Sequence, residues 1–65
     1  MNIIREAEEI KKELERANAS LESAICNFNF AETKEMIDYY TYLIKANEIL
    51  YNYLNRKYWF SNLFQ

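Results

Sequence analysis

The side chains with reactive potential are one cysteine, Cys26, ten carboxylates and six tyrosines, with no histidine beside them. General acid–base catalysis is most often histidine work, so it falls to the carboxylates here. A working carboxylate pair needs two acids set together within an apolar surround that holds one of them protonated. Glu6, Glu9 and Glu13 instead recur on a charged helical face and read as solubilising charge. Glu35 and Asp38 read as acids at the positive end of a helix. Glu48 comes nearest to an apolar stripe, but Lys45, Asn52 and Arg56 are at hand to pair with it. A nucleophilic thiol needs a base and an electropositive setting. Cys26 has neither, since Lys34 is its nearest cation in sequence, and a passive, half-buried thiol is expected. A disulfide between two chains forms in air but not in a reducing cytosol.

Other chemistries lack their parts. With one cysteine and no histidine, neither an internal disulfide nor a Cys/His zinc site is possible. Zero glycine excludes a phosphate-cradling loop and a dinucleotide fingerprint. The net charge is −2. The second half sets Lys34, Lys45, Arg56 and Lys57 against Glu35, Asp38 and Glu48, which makes no cationic groove for nucleic acid. No catalytic, metal or cofactor-binding residue is therefore assigned, and no small-molecule substrate is expected. No run of 18 apolar residues offers a membrane span. The opening MNIIREAEEIKK is charged and has no signal-peptide core. The cytoplasm is the expected compartment.

Two elements must position what remains. Apolar or small residues recur at Ile3, Ala7, Ile10, Leu14, Ala17, Leu21, Ala24 and Phe28, alternating steps of four and three. That is an unbroken heptad seam and predicts a helix over about 2–28. Ile4 and Ile25 widen it, and Glu8 with Lys12 or Lys11 with Glu15 can pair one turn apart. The stretch NFNFAET, residues 27–33, breaks the pattern. Asn27 or Asn29 is expected to end the first helix in left-handed backbone, as glycine usually does. Thr33 is the expected N-cap of a second helix over about 34–58. The loop is then 29–33 and an aromatic tail covers 59–65. The fold class is all-α: one domain, an antiparallel two-helix hairpin of coiled-coil type. Pairing Phe28 with Met36, Ala24 with Tyr40, Leu21 with Leu43, Ala17 with Asn47, Leu14 with Leu50 and Ile10 with Leu54 sets large residues against large aliphatics at the leucine layers and alanines against bulkier or polar groups. It also brings Asn18 beside Asn47, which predicts a hydrogen bond between them or through a shared water.

The second helix is apolar around too much of its circumference for one partner. Polar residues Thr41, Lys45, Glu48, Asn52, Asn55, Asp38 and Arg56 share a single sector. The rest divides into an arc toward helix 1 (Met36, Tyr40, Leu43, Leu50, Leu54), a second arc (Tyr39, Tyr42, Ala46, Ile49, Tyr53) and a third (Ile37, Ile44, Tyr51, Tyr58). A helix so clothed belongs inside something larger. A 65-residue chain without disulfide or metal also gains from a partner. Self-association is the first reading: two hairpins form a homodimeric four-helix bundle. The second is docking to another protein, as a regulatory adaptor or as a phage- or mobile-element-encoded stoichiometric inhibitor of a host protein. The third is a membrane surface reached through the tail, where Arg56 and Lys57 precede Trp59, Phe60, Leu63 and Phe64. A tail that folds back over the open end of the bundle is expected instead. The interface residues are thus Tyr39, Tyr42, Ile49, Tyr53, Ile37, Ile44, Tyr51, Tyr58, Trp59 and Phe60. Part of the tyrosine content is assigned to codon bias, because eight asparagines accompany many Ile, Lys and Glu.

Asp38, Tyr42, Ala46, Glu48, Tyr51, Tyr53 and Leu54 fall in a pattern that resembles the YaaL-like family, small uncharacterised proteins of Gram-positive, spore-forming bacteria. That family's second half reads roughly D-x-A-I-Y-x-I-x-A-A-E-x-R-Y-x-Y-L. The first helix fits more loosely, through AEEIKKELERANASLESAICNF and its closing Phe28 or Phe30. Tyr40, Asn47 and Leu50 depart from the pattern, the last replacing an arginine. The resemblance implies a cytoplasmic two-helix protein and supports the tyrosines as more than drift. It implies no activity.

Overall fold

The computed structural model describes residues 3–63, in two α-helices and one turn. Helix α1 spans Ile3–Asn29 and helix α2 spans Lys34–Asn62. At 1.5 Å per residue they are about 40 and 44 Å long. The Cα trace measures 47 × 15 × 14 Å. Such a length admits the helices only side by side, and the four-residue turn makes them antiparallel. The expected start at residue 2 and the end of the tail, Phe64 included, lie outside the described residues.

Helix α1 keeps the seam from Ala7 to Ala24, whereas Phe28 and Ile25, read as part of it, are 37% and 44% exposed, and the side chains of Ile3 and Ile4 lie outside the described residues. Ala7, Ile10, Ala17 and Ala24 are buried, and Leu14 and Leu21 are half-buried between them. Three of the four buried positions are alanines, so the seam is shallow. That shallowness corrects the expected facing of α2. Met36 and Leu50, assigned inward, are 42% and 46% exposed. The covered positions are Tyr40, Leu43, Ile44, Asn47, Tyr51, Leu54, Asn55 and Tyr58, with Ser61 and Asn62 at the C-terminal end, and only Leu54 is fully buried. Relative to expectation α2 is turned by about 40° about its axis. The turn lays tyrosine rings over the alanine seam, and a ring brings more apolar area than a leucine.

The turn differs from expectation too. No residue among those described has positive φ, so neither Asn27 nor Asn29 ends α1 in left-handed backbone. Instead the Phe30 N–H donates to the Asn27 carbonyl and the Ala31 N–H to the Phe28 carbonyl, both at 3.1 Å. These three-residue closures satisfy the last carbonyls without a special backbone conformation. Thr33 caps α2 as expected: its backbone is extended and its Oγ1 accepts from the Met36 N–H at 3.1 Å. Thr33→Ala is expected to cost about 1 kcal/mol. A denaturant titration reads this as a lower midpoint at unchanged slope.

Two further expectations are corrected. Asn18 and Asn47 do not meet. Asn18 is exposed and its Nδ2 donates to Glu22 Oε1 at 3.3 Å. Asn47 is half-buried and its Nδ2 donates to the Leu43 carbonyl at 2.8 Å. A carbonyl one turn back satisfies the amide inside its own helix, so no cross-helix partner is needed. No buried side-chain nitrogen or oxygen among the described residues lacks a partner. The tail does not fold back either: residues 59–62 continue α2, and the Leu63 N–H closes on Trp59 and Phe60 carbonyls. Ion pairing adds little. Lys34 Nζ meets Asp38 Oδ2 at 2.9 Å in an exposed pair, a type worth at most about 1 kcal/mol. Glu8 and Lys12, like Lys11 and Glu15, are exposed and stay apart.

Candidate protein-interaction site

With helix 1 covering one sector of α2, a second sector stands open. Tyr39, Tyr42, Ala46, Ile49, Leu50 and Tyr53 are all exposed, Tyr42 to 77%. Their spacing is again heptad-like, centred about 120° around α2 from the covered sector. Helix α2 therefore carries two seams, one against α1 and one against solvent. The open stripe runs about 21 Å from Tyr39 to Tyr53 at 1.5 Å per residue. Local contacts hold its rings. Tyr39 and Tyr40 meet edge to face with centroids 5.0 Å apart, and Lys57 Nζ sits 5.8 Å from the centroid of the Tyr53 ring. Lys57 is thereby kept at the stripe's margin as a cation–π donor.

Beside the stripe, shallow open grooves run between the helices. One is lined by Ser20, Ser23 and Asn27 of α1 with Leu43 and Asn47 of α2. The other sets Glu13, Arg16 and Ala17 beside Leu50 and Leu54. Small residues thus form the floor of the α1 flank.

The interface residues read from sequence separate into three groups. Tyr39, Tyr42, Ile49 and Tyr53 lie together on the open stripe. Ile44, Tyr51 and Tyr58 are half-buried on the side toward α1, so the hairpin itself uses much of their surface. Ile37, Trp59 and Phe60 are exposed; Phe60 prolongs the stripe, while Ile37 and Trp59 stand away from it. Leu50 belongs to the stripe and was missed, because the leucine pattern placed it inward. The alanines of α1 were the available sign that tyrosine rings would join Leu43 and Leu54 over that seam.

The reactive groups do not converge. Cys26 is exposed, not half-buried as expected, and faces away from the seam. Among the described residues no three of His, Cys, Asp and Glu cluster to hold a metal ion. No polar or charged residue among them is buried. No helix of the described residues is long and apolar enough to cross a membrane.

The chain exposes 5270 Å². A compact monomer of 7.9 kDa exposes about 4,400 Å² by size scaling. The surplus of roughly 850 Å² follows from the elongated 47 × 15 × 14 Å shape and is spread over the whole molecule. The chain matches no family model, no curated protein and no solved structure.

Proposed function

We propose that this protein is a non-catalytic interaction module whose first partner is a second copy of itself. Two hairpins join through the tyrosine stripes of α2 into a homodimeric four-helix bundle. The observation that carries the reading is the second heptad seam on α2, exposed and continuous from Tyr39 to Tyr53. Contiguous exposed apolar patches on small proteins mark interfaces, and tyrosine is favoured at their centres. A non-catalytic role is supported by carboxylates that are dispersed and open to water, and by a thiol without a base. An exposed thiol with no partner cysteine in the chain suits the cytoplasm.

The same stripe could serve a different protein partner, as an adaptor or stoichiometric inhibitor does, because tyrosine anchors favour either use. Sedimentation equilibrium with reductant, from about 1 to 100 µM, separates the two. That range brackets the dissociation constants of weak to moderate complexes. The expected result is a mass twice that of the chain. A monomer throughout rejects self-association and leaves the stripe to another protein.

A further inference from the structure

We infer that the second copy docks antiparallel, with a two-fold axis beside Ala46, and that Glu35 and Lys57 select this direction. The inference rests on the homodimer reading above. Read outward from Ala46, the stripe is close to palindromic. Tyr42 and Leu50 lie four residues to either side, Tyr39 and Tyr53 seven, and Glu35 and Lys57 eleven. Steps of four, seven and eleven return to one helical face. An antiparallel partner therefore sets each of these residues against its mirror position, while Ile49, whose mirror position Leu43 is turned toward α1, flanks the palindrome. Tyr39 meets Tyr53 of the partner subunit, Tyr42 meets Leu50 of the partner subunit, and Ala46 meets Ala46 of the partner subunit. A methyl group at the axis lets the two helices approach to about 8 Å, with the rings packing on either side.

The ends of the stripe decide direction. Antiparallel docking brings Glu35 to Lys57 of the partner subunit twice, once at each end. Parallel docking on the same face sets Glu35 against Glu35 and Lys57 against Lys57 of the partner subunit, like charges at both ends. Both groups are free to take these roles. Lys57 is held at the stripe's margin over the Tyr53 ring. Lys34, the cation nearest Glu35 in sequence, is engaged by Asp38. Glu35 is exposed in the first turn of α2 and forms no ion pair among the described residues. Opposed α2 dipoles favour the same direction.

The test is a spin-label distance. Arg56→Cys in a Cys26→Ser background, which leaves Glu35 and Lys57 in place, is labelled with a nitroxide, and the dipolar distance between chains is measured. The two labelled positions, each ten residues from the axis, lie about 30 Å apart along it. A distance near or above that value is expected. A distance below about 20 Å, the lateral spacing of a parallel pair at 8–10 Å helix separation plus label reach, overturns the antiparallel arrangement while leaving the dimer standing. Absence of any interchain distance, with a monomer mass, rejects the dimer itself. Charge reversal gives a second readout on otherwise intact stripes. Glu35→Lys alone and Lys57→Glu alone are expected to raise the dimer Kd about three- to tenfold at low salt, and the double variant to restore it. Single reversals without effect, in a chain that still dimerises, overturn the assigned role of the pair.

Discussion

Replacing Tyr39 and Tyr53 together by alanine is expected to convert the dimer to monomer across the micromolar range. In the proposed assembly the two rings pack on each other across the interface, and the symmetry removes four of them at once. Truncating a central aromatic costs about 1–2 kcal/mol or more. Four such losses weaken the dimer by roughly a thousandfold or more, at 1.4 kcal/mol per tenfold. Neither ring belongs to the seam against α1, so the isolated hairpin keeps its helical signal at a concentration where both variants are monomeric. Sedimentation reads the first effect and far-ultraviolet circular dichroism the second. An unchanged dimer mass would place the contact elsewhere on the molecule.

Leu54→Ala is expected to act on the hairpin itself. Leu54 is the one large side chain of α2 that is fully buried, at 4% exposure, and it shares the groove floor with Ala17. A buried leucine replaced by alanine costs about 2–5 kcal/mol, through lost transfer energy and the space left behind. A 65-residue domain holds about 3–10 kcal/mol in total. The substitution thus removes a large share of the stability, and guanidinium unfolding should show a lower midpoint or a chain partly unfolded before denaturant is added. Leu50→Ala is the control. Leu50 is nearly half exposed, so the hairpin should lose less than about 1 kcal/mol, while the dimer weakens. If the two leucines prove equivalent in unfolding, the rotation of α2 described above is wrong.

That contrast marks how far the sequence could be read. The α1 seam was legible because its apolar residues are few and strictly spaced, with charge everywhere else. Thr33 was legible because a capping hydroxyl has a local signature. The facing of α2 was not, because two heptad seams overlap on one helix. Leucine at 43, 50 and 54 argued for one inward side, and Ile44, Tyr51 and Tyr58 for another. Only the depth of the opposing surface decides between them, and that depth is set by Ala7, Ala17 and Ala24 across the helix pair. The ends of helices were misread for a related reason. Asparagine permits left-handed backbone but does not require it, and nothing in residues 59–62 forbids one more helical turn. Of the tyrosines of α2, Tyr42 and Tyr53 are exposed while Tyr51 is half-covered by α1, so one residue type carries two structural duties. The open stripe itself was legible in outline, since one narrow helix could not cover so broad an apolar surface.

The four-residue turn also orders events in time. With only Phe30–Thr33 between long helices, the hairpin zips from the turn outward, and each layer closes a loop little longer than the last. Such local steps take microseconds and do not depend on how much protein is present. Meeting a second copy is bimolecular, so its waiting time lengthens as the protein is diluted. A newly folded hairpin therefore passes through an interval with its tyrosines in water, longest where the protein is scarce. Expression level, through that interval, sets how often the stripe meets its own copy before it meets anything else.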